Sequence, residues 1–360
     1  MSTVKLPFYA RLALTLLAVV LIFLILRAAS NLFIPLVFAL LLSILLFPLT
    51  KFFETKVHIG RAGAAMLSVS LFVFGMLGFV YFLTVQLIGF SGDLPLLKKR
   101  FQAMFDNLQN WMSYKFHITG SQQAEYMNKS MNSMMESAAR SVSNVFLSVT
   151  GVLLLILFVV IFTFFMLYHR KLLMRFVLHL FSAPNRGKVS EVVHETKTMI
   201  NAYVLGLVIE MAFMSIVISA MLAIMGVQYA LLLGVMTALL NVIPYLGIYT
   251  SIVICMLVTF ANSSANMALE VGTGMMIIHI LDANVLFPRI IGGRVKMNPF
   301  ITIIAVIVGE FLWGIPGMFL FIPIVGIVKL VCERVEELQA WALLIGVEDV
   351  QKPKRVVKAK

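Results

Sequence analysis

Charge is scarce in this sequence. Only 12% of its 360 residues are Asp, Glu, Lys or Arg, about half of what a soluble chain carries, while 61% are hydrophobic and the mean hydropathy is +1.01. A water-soluble globule of this size has too little interior to hide 29 Phe and 23 Met, so lipid must solvate several stretches. Cysteine is almost absent: Cys255 and Cys332 stand alone in apolar surroundings, with neither a disulfide frame nor metal-ligand spacing. They read as small hydrophobes. No Gly-x-Ser-x-Gly elbow, His-Glu-x-x-His pair or Gly-Lys-Ser/Thr phosphate loop occurs, so nothing points to an enzyme, to a cofactor or to ATP drive within this chain. A channel filter signature is missing too. Acids are the rarer charges, 16 against 28 Lys and Arg, which leaves +12. That sign suits either nucleic acid or an anionic membrane leaflet, and the placement of the charges decides between them.

What the sequence does have is long apolar runs. Leu12 to Ala29 and Phe33 to Leu49, joined by Ser30-Asn31-Leu32, predict an antiparallel pair of spanning helices. The first run lacks a small-x-small cleavage site and reads as a retained span, not a signal peptide. Further spans are expected at Ala62 to Phe90, Asn144 to Tyr168, a fifth ending near Met225, and Leu269 to Leu286. The polar stretch 93–144 reads as an external helical region, with Asp93 and Pro95 opening one helix and Ser121 capping another. Its Met127, Met131, Met134 and Met135 suit adaptable packing better than a metal-binding face. After the fourth span come His169, Arg170, Lys171, Arg175, His179, Arg186 and Lys188 without one acid. Positive loops favour the cytoplasm, so 169–203 is expected inside, 93–144 outside, and both termini inside. The cations therefore serve a membrane surface, and nucleic acid drops out. The histidines read as interfacial, not as ligands.

Two further apolar stretches are broken. Gln228 to Ala261 is interrupted at Ile243-Pro244-Tyr245-Leu246-Gly247, which leaves arms of about 15 residues, about 22 Å each at helical rise. Pro299 to Leu330 is interrupted at Trp313-Gly314-Ile315-Pro316-Gly317. A single kinked span at the first break would carry Arg289, Arg294 and Lys296 outside, against the charge rule. Two hairpins, each returning to its own side and each preceded by a full helix, avoid this and form an inverted repeat, the layout that places solute sites in secondary transporters. The expected fold is an all-α polytopic membrane protein with six full spans and two inverted Pro/Gly-broken hairpins, about eight membrane elements. Its divisions are 1–92 (spans one to three), 93–144 (external helices), 145–203 (span four and a basic cytoplasmic linker helix), 204–335 (transport core) and 336–360 (basic cytoplasmic tail).

Ionisable residues inside spans are costly and default to functional candidates. Glu210, among Val208, Ile209, Met211 and Phe213, needs a partner, a proton or a water-filled cavity. It reads either as a proton carrier or as a neutral carboxyl bonded to a neighbouring helix. Asp282 and Asn284 precede Pro288 and Arg289, and an Asp and an Arg seven residues apart share a helix face and can pair. Glu310 sits just before the second break, where free helix ends would suit a cation. With Asn241, Pro244, Tyr245, Gly247, Gly292, Gly314 and Gly317, these residues are the candidate transport pathway. Pro244, Gly247 and Gly317 are expected to resist substitution because Pro fixes φ and Gly permits positive φ.

The run Asp282-Ala283-Asn284-Val285-Leu286-Phe287-Pro288-Arg289-Ile290-Ile291-Gly292-Gly293-Arg294-Val295, followed by Asn298-Pro299, resembles the signature of the autoinducer-2 exporter permease family. Leu240-Asn241-Val242-Ile243-Pro244-Tyr245-Leu246-Gly247 and Gly314-Ile315-Pro316-Gly317-Met318 with Pro323 resemble its other hallmarks. The resemblance covers nearly the whole chain. It implies a bacterial inner-membrane protein that assembles as a homo-oligomer such as a pentamer, in a family associated with export of autoinducer-2 and with sodium or lithium exchange for protons. The leading expectation is a secondary permease exporting a small polar metabolite or signal, with ion coupling as an option. Competing with it are a monovalent cation/proton antiporter working through Asp282, Glu310 and Glu210, and an oligomeric scaffold whose external helices bind a partner.

Overall fold

The computed structural model describes residues 7–116, 149–243, 246–286, 289 and 297–347. Its described residues form helices α1 (Phe8–Ala28), α2 (Ser30–Thr55), α3 (Arg61–Phe116), α4 (Val149–Tyr168), α5 (Arg170–His179), α6 (Arg186–Ile224), α7 (Ala230–Leu240), α8 (Leu246–Asn262), α9 (Ala265–Leu281), α10 (Pro299–Trp313), α11 (Ile315–Arg334) and α12 (Gln339–Ile345). A π turn, Asp282–Leu286, prolongs α9. Seven of the described helices are long and apolar enough to cross a membrane. Six coincide with the expected spans. The seventh is α11, the 20-residue second arm of the second broken stretch, which is longer than the expected arms. Ser121, the methionine stripe, Pro244, Tyr245, Pro288, Gly292 and the basic tail from Lys352 lie outside the described residues.

The chain packs as two units, the first from 1–66, 162–208 and 287–360, the second from 67–161 and 209–286. In the first, α10 starts cleanly: Asn298 caps it by accepting from the Phe300 N–H at 3.0 Å, and Pro299 occupies the first turn, where its missing donor costs nothing. α10 ends at Trp313 because Gly314 turns to φ 63° and ψ −145°, and α11 begins at the next residue. The two helices then fold back along each other at very close range. A methyl group on Gly317 would lie 1.9 Å from the Gly309 carbonyl oxygen, and one on Gly309 would lie 2.3 Å from the Gly317 oxygen. Leu41, Met199, Ile200, Leu312, Trp313 and Leu320 form the buried core around this pair. The Trp313 indole N–H donates to the Leu26 carbonyl at 2.9 Å, satisfying an oxygen in the last turn of α1.

Three local expectations change. α1 and α2 do not pair antiparallel: they meet only beside their junction, and α1 buries no residue. Their connection is the single residue Ala29, whose N–H still bonds to the Ile25 carbonyl, whereas reversing a helix takes a loop of roughly two to five residues. α3 does not stop near Gly92 to restart at Asp93; one helix runs through Pro95 to Phe116. Gly247 and Gly317 lack positive φ, and close approach is what demands glycine at both: a methyl on Gly247 would lie 1.8 Å from the Leu240 carbonyl oxygen.

In the second unit, the membrane half of α6 packs with α7, α8 and α9 around Met214, Ile218, Leu222, Leu233, Ile252 and Met275. α7 follows α6 after a turn that uses positive φ at Gly226 and Tyr229. α7 ends at Leu240, ahead of Pro244, whose ring would clash with the carbonyl four residues earlier in a continued helix. Its arm is 11 residues and that of α8 is 17, against the even division expected. Ser264 caps α9 by accepting from the Met267 N–H at 3.2 Å. Arg100, on the far half of α3, donates to the Ala261 and Asn262 carbonyls at 3.4 and 3.1 Å, closing the C-terminal end of α8.

Candidate transport site

Three helices of the second unit bring polar side chains together inside an apolar bundle. Glu210 comes from α6, Asn241 from the end of α7, and Asp282 from the first residue of the π turn. Val208 and Ile209 on the same stretch of α6 are about half exposed, on a surface suited to lipid, whereas Glu210 is only 6% exposed and Asp282 only 3%. The Asn241 side-chain amide donates to Glu210 Oε1 at 3.3 Å. The Asp282 carboxyl lies beside this pair.

Glu210 Oε2, Asp282 Oδ1 and His279 Nδ1 are buried without a hydrogen-bond partner among the described residues. A polar atom left so costs on the order of 1–3 kcal/mol, and charged groups cost more. The π turn belongs to this picture, because an i→i+5 turn inside an α-helix frequently marks a functional position.

His279 was not among the sequence candidates. It sits one turn before Asp282 on the same helix face, and its ring packs edge-on against Tyr249 with centroids 6.1 Å apart. That three-residue spacing was the available signal. Asn284 donates instead to the Ile280 carbonyl of its own helix at 2.7 Å and is exposed. Asp282 lies in the second unit, whereas Arg289, which is exposed, lies in the first.

Glu310, Gly314, Gly317 and Arg289 belong to the first unit. Glu310 is exposed on α10, and no described hydrogen bond or ion pair engages its side chain. Only Gly314 leaves helical geometry between α10 and α11, so the expected set of free carbonyls at this tip is small. Gly247 stays in the second unit, where it lets α8 start against the end of α7. An apolar cavity of about 90 Å³ lies between α3, α7 and α8, lined by Leu87, Phe90, Leu240, Cys255 and Val258 among others. Its walls offer little to a polar solute.

Long apolar helices, an outward apolar surface and a buried acidic cluster define a multi-span membrane protein with a polar site inside one of its units. The family follows from comparison: residues 14–337 match the profile described as AI-2E family transporter, and the chain belongs to that family, one of transporters and not of enzymes. It is 28% identical over 310 residues to YueF of Bacillus subtilis (strain 168), covering 83% of each chain. It is 24% identical over 321 residues to YhhT of Escherichia coli (strain K12), covering 89% of each. The names of those two propose a transport role and state no substrate. A third relative, the AI-2 transport protein TqsA of Escherichia coli (strain K12), is 22% identical over 326 residues, covering 89% of this chain and 91% of its own.

Proposed function

We propose that this protein is a secondary transporter of the bacterial inner membrane that moves a small polar solute outward, coupled to a proton or monovalent cation at Glu210, Asn241 and Asp282. The supporting observation is the pair of buried carboxyls, one of them accepting from the Asn241 amide, with an oxygen on each that has no partner among the described residues. One carboxyl could be a structural accident. Two on different helices, beside Asn241, form a place where a proton or cation changes the interaction between helices as it arrives and leaves. The name of TqsA makes autoinducer-2 the first solute to try.

In this reading 204–335 is the transport core, the basic segment 169–203 and both termini face the cytoplasm, and the protein works as a homo-oligomer such as a pentamer. Pro244, Tyr245, Gly247, Pro288, Gly292, Gly314 and Gly317 shape the broken helices along the pathway. A second reading, monovalent cation/proton antiport without a metabolite, draws on the same cluster, since its chemistry suits an ion better than a neutral solute.

Proteoliposome flux decides between them. Internal pH is followed with a dye while sodium, lithium or autoinducer-2 is supplied, for the wild type, Glu210→Gln and Asp282→Asn. The amides keep size and remove the exchangeable proton. Coupled export predicts solute-dependent proton movement that both variants abolish or shift in pH dependence, while antiport predicts proton movement with sodium or lithium alone. Unchanged flux and pH profile in both variants at equal density would remove the cluster from transport.

A further inference from the structure

We propose that α5 is an interfacial helix that docks its outer face on the anionic headgroups of the adjoining membrane leaflet. With ten residues it spans about 15 Å, half of a bilayer core of about 30 Å, so it cannot cross. At 3.6 residues per turn, Leu172, Leu173, Phe176 and Leu180 fall within an arc of about 100°. These four are 62%, 43%, 60% and 63% exposed.

The opposite face is held by the protein. Arg170, Met174, Val177 and Leu178 are half-buried. Arg170 pairs with Glu54 and lies over the Phe47 ring at 5.3 Å, with Lys197 over the same ring at 5.9 Å. This fixes the rotation of α5 and leaves the Leu/Phe stripe facing out. Phe181, also exposed, extends the apolar edge to the turn at Ala183–Asn185.

Charge selects the occupant. Lys171, Arg175 and His179 border the stripe and are exposed, and no acid occurs from His169 to Ser190. A short helix with bulky apolar side chains along one arc and cations along one margin of it matches the acyl and headgroup layers of an anionic leaflet, with the Lys and Arg stems reaching up to phosphates. A second copy fits less well, because a two-fold contact through this face would set Lys171 and Arg175 against their own counterparts.

The test uses the full chain in vesicles. Cys255 and Cys332 are buried, so Phe176→Cys takes a bimane label selectively, with Leu172→Cys as the second labelled variant should the first misfold. Brominated phosphatidylcholine and phosphatidylglycerol are mixed in varied ratio, and quenching gives the relative preference for the anionic lipid at the label. The expected preference is about fivefold or more, the worth of one Lys or Arg at a charged surface. It should fall towards equality in Lys171→Gln/Arg175→Gln. Quenching by aqueous iodide with none by brominated lipid would overturn the proposal. So would cross-linking of Phe176→Cys to a second copy, or a preference that the double variant leaves unchanged.

Discussion

Replacing Gly317 with alanine places a methyl group 1.9 Å from the Gly309 carbonyl oxygen, 2.6 Å from its carbon and 3.0 Å from Trp313 Cβ. The first two are backbone atoms of α10, so no rotamer change relieves the contact. Ordinary van der Waals distance begins near 3.4 Å and requires about 1.5 Å more, which α10 and α11 can supply only by moving apart. Overpacking of a tight interior costs about 1–3 kcal/mol. This contact belongs at the upper end, since separation also loosens Leu312, Trp313 and Leu320 in the same core. Gly78→Ala is the matched control: nothing lies within 4 Å of a methyl there, and alanine is the better helix former by about 1 kcal/mol. Heating each purified variant in mild detergent and following the monodisperse fraction by size exclusion gives a melting midpoint. Gly317→Ala should melt well below the wild type and Gly78→Ala at or above it. Equal midpoints for the two variants would refute the helix-contact argument, and a loss in both would show that the assay reports glycine content in general.

Trp313→Phe keeps the edge-to-face contact with Phe321 but removes the donor to Leu26, so the midpoint should fall by an amount equivalent to about 0.5–1.5 kcal/mol, with Trp313→His a partial rescue if the new donor reaches the carbonyl. Arg334 pairs with Glu195 and, at 3.2 Å, with Glu191, all three partly exposed; Arg334→Gln should cost at most about 1 kcal/mol, and the difference from wild type should shrink as salt is raised. A cysteine at Lys188 should react with an impermeant maleimide only in inverted vesicles, and labelling in intact cells would reverse the proposed orientation.

Much of the helical layout was legible from the chain because bilayer thickness, not partner helices, sets the length of an apolar run. The acid-free stretch from His169 to Ser190 was equally plain. Pairwise geometry was hidden. Glu210 and Asp282 each stand out as costly, yet that they meet beside Asn241 depends on how α6, α7 and α9 pack, and local sequence carries no trace of it. Pro95 misled in a physical way: Pro favours the first turn of a helix, but inside a long one it forfeits one backbone bond, and α3 absorbs that loss. Gly247 and Gly317 were marked for the wrong reason, since freedom in φ and absence of a side chain are both properties of glycine and only the packed neighbour reveals which is used.

The 56 residues of α3 make a rod about 84 Å long, of which the apolar portion, Arg61–Phe90, accounts for about 45 Å. No joint separates that portion from the remainder, which carries the Arg100 clasp on the end of α8. In most membrane proteins a connecting loop absorbs small changes in length where a span leaves the bilayer. Here one inserted residue would advance the outer portion by about 1.5 Å and turn it by about 100°, carrying Arg100 off the carbonyls it holds. The chain between Phe90 and Arg100 is therefore under a phase constraint on its residue count.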